Sequence, residues 1–340
     1  MGQTTQVTSQ AVCDAAELAA DPPPERWILT YGGSARAPGR STYAIRDFTR
    51  LAAVFDSAGA PELWLSSGAI CLQLFAPSGR VFEPALAGPP ADGSDWSAYL
   101  DSLFSKGGIL QRLDSGVAIA SATIGPPPTP YQVSVMIPYP DSRDSGFAFE
   151  GAVYQLWNAA DRRDVTLAYV AEVKRRFETE RLAHLSLNGF YWSHELMPDS
   201  DSALVTAVGN AVHQENLRLL WIPYYDAEGW DRWWVWFDEA WLQPNYFFDL
   251  TVPATRLDSA AAHAVGAEMG LEIEFDGRVF DDPQFGDRLG PYLSTLASNP
   301  ELRDRSIAIY DGQGALVSLS RSTAAPLEAL YRQMWMALVP

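Results

Sequence analysis

The sequence predicts a single-domain (β/α)8 barrel, a fold of the α/β class, and three observations support this prediction. About eight strand-like segments alternate with helix-like segments, which is the pattern of parallel strands joined by helical crossovers. The length of 340 residues suits one such barrel with moderate insertions. Neither G-x-G-x-x-G nor G-x-x-x-x-G-K-[ST] occurs, so a doubly wound nucleotide-binding sheet is disfavoured.

The strand-like segments carry apolar runs or period-two alternation, and the segments between them have helical patterns. The predicted strands lie within residues 26–33, 62–75, 131–140, 184–192, 217–225, 233–248, 270–276 and 306–311. The predicted helices lie within residues 41–59, 94–124 (with a break at Gly107 and Gly108), 164–181, 201–215, 258–269, 286–297 and 325–338. Residues 1–22 lead into a run of prolines and are predicted to form a flexible arm, so the barrel domain spans residues 23–340.

Composition indicates a globular protein without a nucleic-acid or membrane partner. Hydrophobic residues make up 47% of the chain, enough for a large core, and no run approaches the roughly 18 apolar residues of a membrane span. The net charge of −18 disfavours phosphate binding, which needs clustered Lys and Arg. No signal peptide is evident, so the expected location is cytoplasmic, or extracellular if an export signal has been removed.

Aromatic and acidic residues recur at the C-terminal ends of the predicted strands, where (β/α)8 barrels place their active sites. This mixture suits carbohydrate, because the C–H faces of sugars stack on aromatic rings and their hydroxyls bond polar groups. The predicted substrate-binding residues are Tyr139, Tyr191, Trp192, His194, Tyr224, Tyr225, Trp230, Trp241, Gln243, Asn245, Tyr246 and Asp276.

The seventh strand is the most informative segment, because its apolar residues alternate with Glu272, Glu274 and Asp276. With period two, the three carboxyls share one face, and the apolar face must pack on helices, so the acids should point into the barrel or its mouth. Mutual repulsion and burial should raise their pKa values. For Glu272, an alternative is a buried acid paired with an arginine from another strand.

Two of the carboxyls suit glycoside hydrolysis, which needs an acid and a nucleophile or base across the scissile bond. Glu195 ends the fourth strand and Glu274 lies near the end of the seventh, so they should face each other across the mouth. Asp238, in the sixth strand segment, is the third catalytic candidate, either as a partner carboxyl or as a hydrogen-bond acceptor from the sugar.

Other chemistries fit the sequence less well. In "HELMP", Pro198 occupies the position where the zinc motif H-E-x-x-H needs its second histidine, so His194 is interpreted as part of the groove or its support rather than as a metal ligand. No G-x-S-x-G motif occurs, and the two cysteines, Cys13 and Cys71, cannot form a disulfide framework or a Cys-rich zinc site. No cofactor and no metal are predicted.

Four segments together resemble a bacterial family known as domain of unknown function 4855: "VMIPYP", "LNGFYWSHE", "LLWIPYYDAEGW" and "WFDEAWLQPNYFF". The resemblance covers most of residues 25–320 and implies a (β/α)8 barrel akin to glycoside hydrolases, acting on extracellular polysaccharide. It also implies acid/base and nucleophile roles for Glu195 and Glu274, at the strands where barrel glycosidases carry them. His194 departs from the asparagine that usually precedes the fourth-strand glutamate.

The sequence therefore predicts a glycoside hydrolase that attacks within a polysaccharide, and the acidic charge suggests an amino-sugar polymer. Two alternatives stay open. One is a noncatalytic carbohydrate-binding barrel that keeps the aromatic groove, and the other is a hydrolase in which the acid cluster holds Mg²⁺ or Ca²⁺.

Overall fold

The computed structural model describes residues 24–31 and 43–339, and these residues contain a closed barrel of parallel strands. The predicted N-terminal arm, residues 1–22, lies outside the described residues. The strands are β1 (Arg26–Tyr31), β2 (Ala53–Phe55), β3 (Pro61–Trp64), β4 (Gly68–Leu72), β5 (Tyr131–Ile137), β6 (Ser145–Phe149), β7 (Ala152–Gln155), β8 (Leu185–Trp192), β9 (Arg218–Trp221), β10 (Glu239–Leu242), β11 (Gly270–Phe275) and β12 (Ile307–Asp311).

Eight of these strands form the barrel in the order β1-β12-β11-β10-β9-β8-β5-β4, each parallel to its neighbours. The remaining strands form two antiparallel pairs outside it, β2 with β3 and β6 with β7. The predicted (β/α)8 fold is therefore confirmed. Within residues 24–31 and 43–339, no helix has the length and apolar character needed to cross a bilayer.

Helices surround the barrel and connect its strands. They are α1 (Ile45–Ala52), α2 (Gly93–Phe104), α3 (Ile109–Ile124), α4 (Ala159–Glu180), α5 (Ser202–Gln214), α6 (Thr255–Gly266), α7 (Arg278–Asp281), α8 (Pro283–Ser298), α9 (Pro300–Arg303), α10 (Ala315–Leu319) and α11 (Ala325–Leu338). Side-chain caps fix several starts: Asp92, Asn158 and Asp282 accept backbone N–H groups at the beginnings of α2, α4 and α8. The break predicted at Gly107 and Gly108 separates α2 from α3.

The largest departure from the sequence prediction lies at residues 233–248, which were expected to form a strand that runs into a loop. Gly229 adopts a left-handed conformation and starts a 3-10 helix over Trp230–Val235, so the aromatic run there is not extended. The strand β10 comprises only Glu239–Leu242. Apolar aromatic composition alone did not distinguish this helical turn from the strand.

The interior of the barrel is filled differently at its two ends. At the N-terminal end of the strands, Arg218 bonds Asn188 (2.9 Å), Glu25 (2.7 Å) and Gln132 (3.2 Å), and lies 3.1 Å from Glu239. We call these five residues the basal cluster. One arginine thus contacts two carboxyls and two amides in the barrel floor.

Trp27 and Trp241 cover the basal cluster, with ring centroids 6.0 Å apart in an edge-to-face arrangement. Gly68, on the neighbouring strand β4, makes room for this pair. A Cβ atom at position 68 would lie 2.7 Å from the Trp27 ring and 2.8 Å from the Gln132 carbonyl oxygen. The floor of the barrel is therefore closed by packed rings, and the open end of the interior is the C-terminal one.

Candidate active site

A cavity of about 170 Å³ opens at the C-terminal ends of the barrel strands, and we call it the mouth pocket. Its walls combine carboxyl, aromatic, amide and aliphatic side chains. They are Glu195, Glu272 and Glu274; Tyr31, Tyr191, Phe248 and Tyr310; Gln243; and Leu29, Leu72, Leu74 and Ile222. Larger grooves of about 600 and 820 Å³ lie beside α11 on the outer surface, where the acid Glu328 is paired with Arg332.

Glu274 is the best-supported carboxyl of the mouth pocket. It points inward from β11, is buried, and accepts a hydrogen bond of 2.7 Å from the Tyr292 hydroxyl on α8 and a longer one of 3.5 Å from the Asn245 amide. Burial raises the pKa of Glu274 to about 7, although these contacts and the backbone N–H groups of Asn245 and Tyr246 favour the ionised form. The backbone of Asn245 is left-handed (φ 48°), and its side-chain oxygen accepts the Tyr225 N–H at 2.7 Å.

Glu195 follows the last residue of β8 and reaches the same pocket with fewer supporting contacts. Burial raises the pKa of its carboxyl to about 7, the Gln243 amide opposes this shift as a hydrogen-bond partner, and the charges of Glu83 and Glu274 raise it further. Gln243 is oriented in turn by donating to the Ile222 carbonyl (3.1 Å) and accepting from Asn245 (3.1 Å). Glu195 and Glu274 are therefore electrostatically coupled within one cavity.

Glu272 lies two residues before Glu274 on β11, deeper in the barrel, and is 2% exposed. Burial and the charges of Glu274 and Glu195 raise its pKa well above the ordinary value. The arginine partner considered for it from the sequence is absent from the described part of the chain, where no residue donates a hydrogen bond to the Glu272 carboxyl. Its alternation with Leu271 and Ile273 places Glu272 on the inner face of the strand, as the sequence predicted.

Behind Glu195 lies a second polar group, outside the mouth pocket. The His194 ring is buried between Asp201 (Nδ1 to Oδ2, 3.5 Å) and Glu83 (Nε2 to Oε1, 3.9 Å), and it packs against Tyr139 with centroids 4.5 Å apart. Glu83 accepts the backbone N–H groups of Ala85 and Glu195. His194 and Tyr139, predicted to contact substrate, thus pack beneath the Glu195 loop and do not line the mouth pocket.

Two predicted residues lie at the opposite end of the barrel. Because β10 begins at Glu239, Asp238 precedes the strand instead of ending it; its carboxylate accepts the Leu219 N–H (2.7 Å) and contacts His213 (2.9 Å). Trp241 points into the floor, where its indole N–H donates to Ser306 at 2.9 Å. The structure thus places Asp238 and Trp241, predicted for catalysis and for substrate binding, away from the mouth pocket.

The aromatic residues of the loop after β9 are packed in a stack with side chains from other elements. The His263 ring lies between Tyr225 (5.3 Å) and Trp230 (4.6 Å) in nearly parallel planes, and Arg256 covers the other face of Tyr225 at 4.0 Å. These faces are already in contact with protein and are not pocket walls. Tyr224, in the same loop, is half-buried and also lies outside the pocket.

The remaining predicted residues have structural contacts close to the mouth. Trp192 is fully buried and meets Tyr139 edge-to-face at 6.1 Å. Arg288 covers the Tyr246 ring at 3.6 Å, and Asp276 pairs with Arg278 at 2.9 Å, so neither faces the cavity. Of the predicted set, the structure brings together Glu195, Glu274, Tyr191 and Gln243 in the pocket, with Asn245 one contact away.

Several pocket residues were not predicted. Tyr31 and Tyr310 lie at the ends of β1 and β12, where the same strand-end rule would have found them. Glu83 and Tyr292 reach the site from a loop and from a helix, and no local pattern marks them. Across residues 24–31 and 43–339, no three His, Cys, Asp or Glu side chains are arranged to hold a metal ion.

The closed barrel of eight parallel strands, with inward-facing carboxyls at its C-terminal mouth, defines the class of the protein: a (β/α)8 barrel. The chain belongs to the family described as Domain of unknown function (DUF4855), whose model matches residues 27–336. A search of curated proteins found no match.

Solved structures with a similar chain path include three enzymes. A glycoside hydrolase family 5 enzyme from Prevotella bryantii B14 is 10% identical, with a TM-score of 0.49 over 92% of this chain and 95% of the other. The spore cortex-lytic enzyme SleL of Bacillus megaterium QM B1551 is 9% identical (TM-score 0.41, 88% and 74%). The catalytic domain of a GH26 endo-beta-1,4-mannanase from Bacillus sp. JAMB-750 is 7% identical (TM-score 0.41, 92% and 86%).

Proposed function

We propose that this protein is a glycoside hydrolase in which Glu195 is the general acid/base and Glu274 is the nucleophile or base. The observation that carries the proposal is the meeting of two carboxyls, from the end of β8 and from β11, in one pocket at the mouth of the barrel. Glycosidic bond cleavage needs two carboxyls that differ in protonation at the working pH.

The contacts of the two carboxyls favour this division of roles. Both pKa values are raised to about 7, so near neutral pH the coupled pair holds about one proton. Glu274 accepts hydrogen bonds from Tyr292, Asn245 and backbone N–H groups, which stabilise its anion. Glu195 has one such partner and faces the charge of Glu83, so these contacts favour the proton on Glu195, where an acid is needed.

The substrate we propose is a polysaccharide cut within its chain, and an amino-sugar polymer fits the acidity of the protein. The net charge is −18, and the pocket itself is acidic. The pocket wall also contains aromatic side chains, the residue type on which sugar rings stack.

The test is to replace Glu195 and Glu274 separately by glutamine and to measure sugar release from a panel of polysaccharides that includes amino-sugar polymers. We expect each variant to lose at least about a hundredfold in kcat/KM. On an aryl glycoside, whose leaving group needs little protonation, Glu195→Gln should retain more activity than Glu274→Gln. Glu301→Gln, which alters an exposed glutamate on α9, is the matched control. Full activity of both pocket variants on a cleaved substrate would disprove the assignment.

A noncatalytic carbohydrate-binding barrel is the alternative from the sequence. It requires aromatic faces open to ligand, but Trp192, Trp241 and the Tyr225–Trp230 stack are covered by protein. The alternative predicts that a bound oligosaccharide is recovered intact by mass spectrometry, whereas the hydrolase releases shorter products.

A further inference from the structure

The mouth pocket contains more carboxyl groups than glycoside cleavage requires. Two carboxyls suffice for the reaction, yet Glu272 is a third, and the described wall contains no Lys, Arg or His. By contrast, Arg218 compensates the carboxyls of the basal cluster. A buried carboxyl without a partner is costly, so its retention in a cavity calls for a ligand that pairs with it.

We propose that Glu272 recognises an ammonium group, so that the mouth pocket binds the protonated, unacetylated amino sugar at the bond to be cleaved. This inference rests on the proposed function for the location of the sugar, and it adds the chemical identity of the sugar and the residue that selects it.

The geometry of Glu272 supports an ammonium ligand over a neutral one. Its side chain is 2% exposed, faces the cavity, and receives no hydrogen bond from the described residues. A sugar hydroxyl would donate one hydrogen bond but would leave the repulsion from Glu195 and Glu274 in place. An ammonium group offers three donors and one positive charge, and therefore both satisfies the carboxylate and lowers the repulsion among the acids.

The aromatic walls favour the same ligand. Tyr310 meets Tyr31 at 5.6 Å and Phe248 at 5.5 Å, both edge-to-face, so three rings line one side of the pocket. Aromatic rings attract cations, so a cation bound in this pocket lies close to three rings. An N-acetyl group has no charge, and it would add bulk to a cavity of only about 170 Å³.

Titratable groups face Glu272 from several strands: Glu195 and Tyr191 from β8 and its end, Glu274 from its own strand, and Tyr31 and Tyr310 from β1 and β12. The pKa of Glu272 is raised by burial and by the charges of Glu274 and Glu195, so a proton is favoured on its carboxyl when no cation is bound. An ammonium ligand replaces that proton as the partner of the carboxylate. Binding should therefore release a proton, and affinity for the amine should increase as pH rises toward the folded pKa of Glu272.

The experiment compares D-glucosamine and D-galactosamine with their N-acetyl derivatives and with glucose, using ligand titrations followed by NMR on the full-length protein. We expect at least one amine to bind about tenfold or more tightly than its N-acetyl form and than glucose. Glu272→Gln should abolish this preference. Glu239→Gln removes a carboxyl of the basal cluster at the other end of the barrel and should leave the preference unchanged.

Equal binding of amines and N-acetyl sugars, no binding of either amine, or an unchanged preference in Glu272→Gln would each overturn the inference. The Glu272→Gln variant is nearly isosteric and removes a repelled charge, so it should fold; circular dichroism checks this independently. The sugars used are monosaccharides with no bond to cleave, so the outcome does not depend on hydrolysis. Failure of the proposed function would instead appear in the Glu195→Gln and Glu274→Gln rates.

Discussion

The two ends of the barrel interior contain acids in opposite circumstances. In the basal cluster, Glu25 and Glu239 share Arg218. In the mouth pocket, no Lys, Arg or His lies in the described wall beside Glu195, Glu272 and Glu274, and Arg256 acts on Glu274 only from outside it. A raised pKa does not separate the two regions: burial raises the pKa of Glu239 to about 7 even though Arg218 opposes it. The two regions differ in whether an arginine pairs with the carboxyls.

We therefore distinguish the paired acids of the basal cluster, which maintain the fold, from the acids of the mouth pocket, which are available to bind a ligand. A paired carboxyl satisfies itself within the protein, and its removal leaves the partner charge uncompensated. Unpaired carboxyls in a cavity repel one another, which destabilises the empty protein but prepares it for a proton transfer or a cation. Variants at the two ends should therefore change stability in opposite directions.

The largest expected effect is the pH dependence of stability set by Glu272. Its folded pKa is above its ordinary value of 4.5, so the folded state binds the proton more tightly than the unfolded state. That contribution to stability is full below pH 4.5 and is lost as pH rises toward the folded pKa, by up to about 1.4 kcal/mol per pH unit. Glu272→Gln lacks this loss, so its stability relative to the parent should increase as pH rises from about 4.5 toward the folded pKa of Glu272.

Urea unfolding of parent and variant at several pH values measures this difference. Comparing the two proteins cancels the contribution of groups elsewhere, such as Glu172, whose pKa is lowered to about 2 by Arg175 and Arg176. A stability difference that stays constant with pH would show that Glu272 is not an uncompensated acid.

Arg218→Met should have the opposite sign. The change leaves Glu25 and Glu239 without their cation and removes hydrogen bonds to Asn188 and Gln132. Because Arg218 is partly exposed, we expect a loss of about 2 kcal/mol, below the 3–5 kcal/mol typical of a broken, fully buried pair. Arg332→Met, at an exposed pair with Glu328, should cost less than about 0.5 kcal/mol. Equal losses from the two variants would contradict the structural role of the basal cluster.

Glu83→Gln tests whether the group behind Glu195 sets its acidity. The charge of Glu83 raises the pKa of Glu195, so its removal should lower that pKa and move the basic limb of the kcat/KM profile to lower pH. The fold stability of the variant and the acidic limb of its kcat/KM profile are measured as internal references. Glu228→Gln, on an exposed loop, is the control and should leave both limbs in place. An unchanged or upward-shifted basic limb would rule out this role.

The fold and the key acids could be predicted because their signals are local. Alternation of strand and helix patterns along the chain gave the barrel, and the period-two placement of Glu272 and Glu274 on β11 gave their inward orientation. Glu195 was identified because a strand and a loop meet at that residue. Each of these inferences uses neighbours in sequence.

The errors arose where position depended on contacts distant in sequence. Residues 233–248 carry no marker of where strand pairing starts, so Asp238 was placed at the end of the strand although it precedes β10. The contact of the Trp241 ring with Trp27 in the floor likewise has no local signal. The Tyr225–His263–Trp230 stack requires α6 to supply the histidine, and the Tyr292 bond to Glu274 requires α8 to supply the hydroxyl. No local sequence pattern reports those pairings.

Asp238 provides the test with the smallest expected effect, because a position at the basal end and a position at the mouth predict different results for its substitution. At the basal end its carboxylate accepts the Leu219 N–H and contacts His213, so Asp238→Asn should lower stability by about 1 kcal/mol through weakened hydrogen bonds. Hydrolysis of a cleaved substrate should stay within about twofold of the parent, since the pocket residues are untouched. A loss of activity comparable to that of Glu274→Gln, with stability unchanged, would place Asp238 in the active site and contradict its assignment to the basal end.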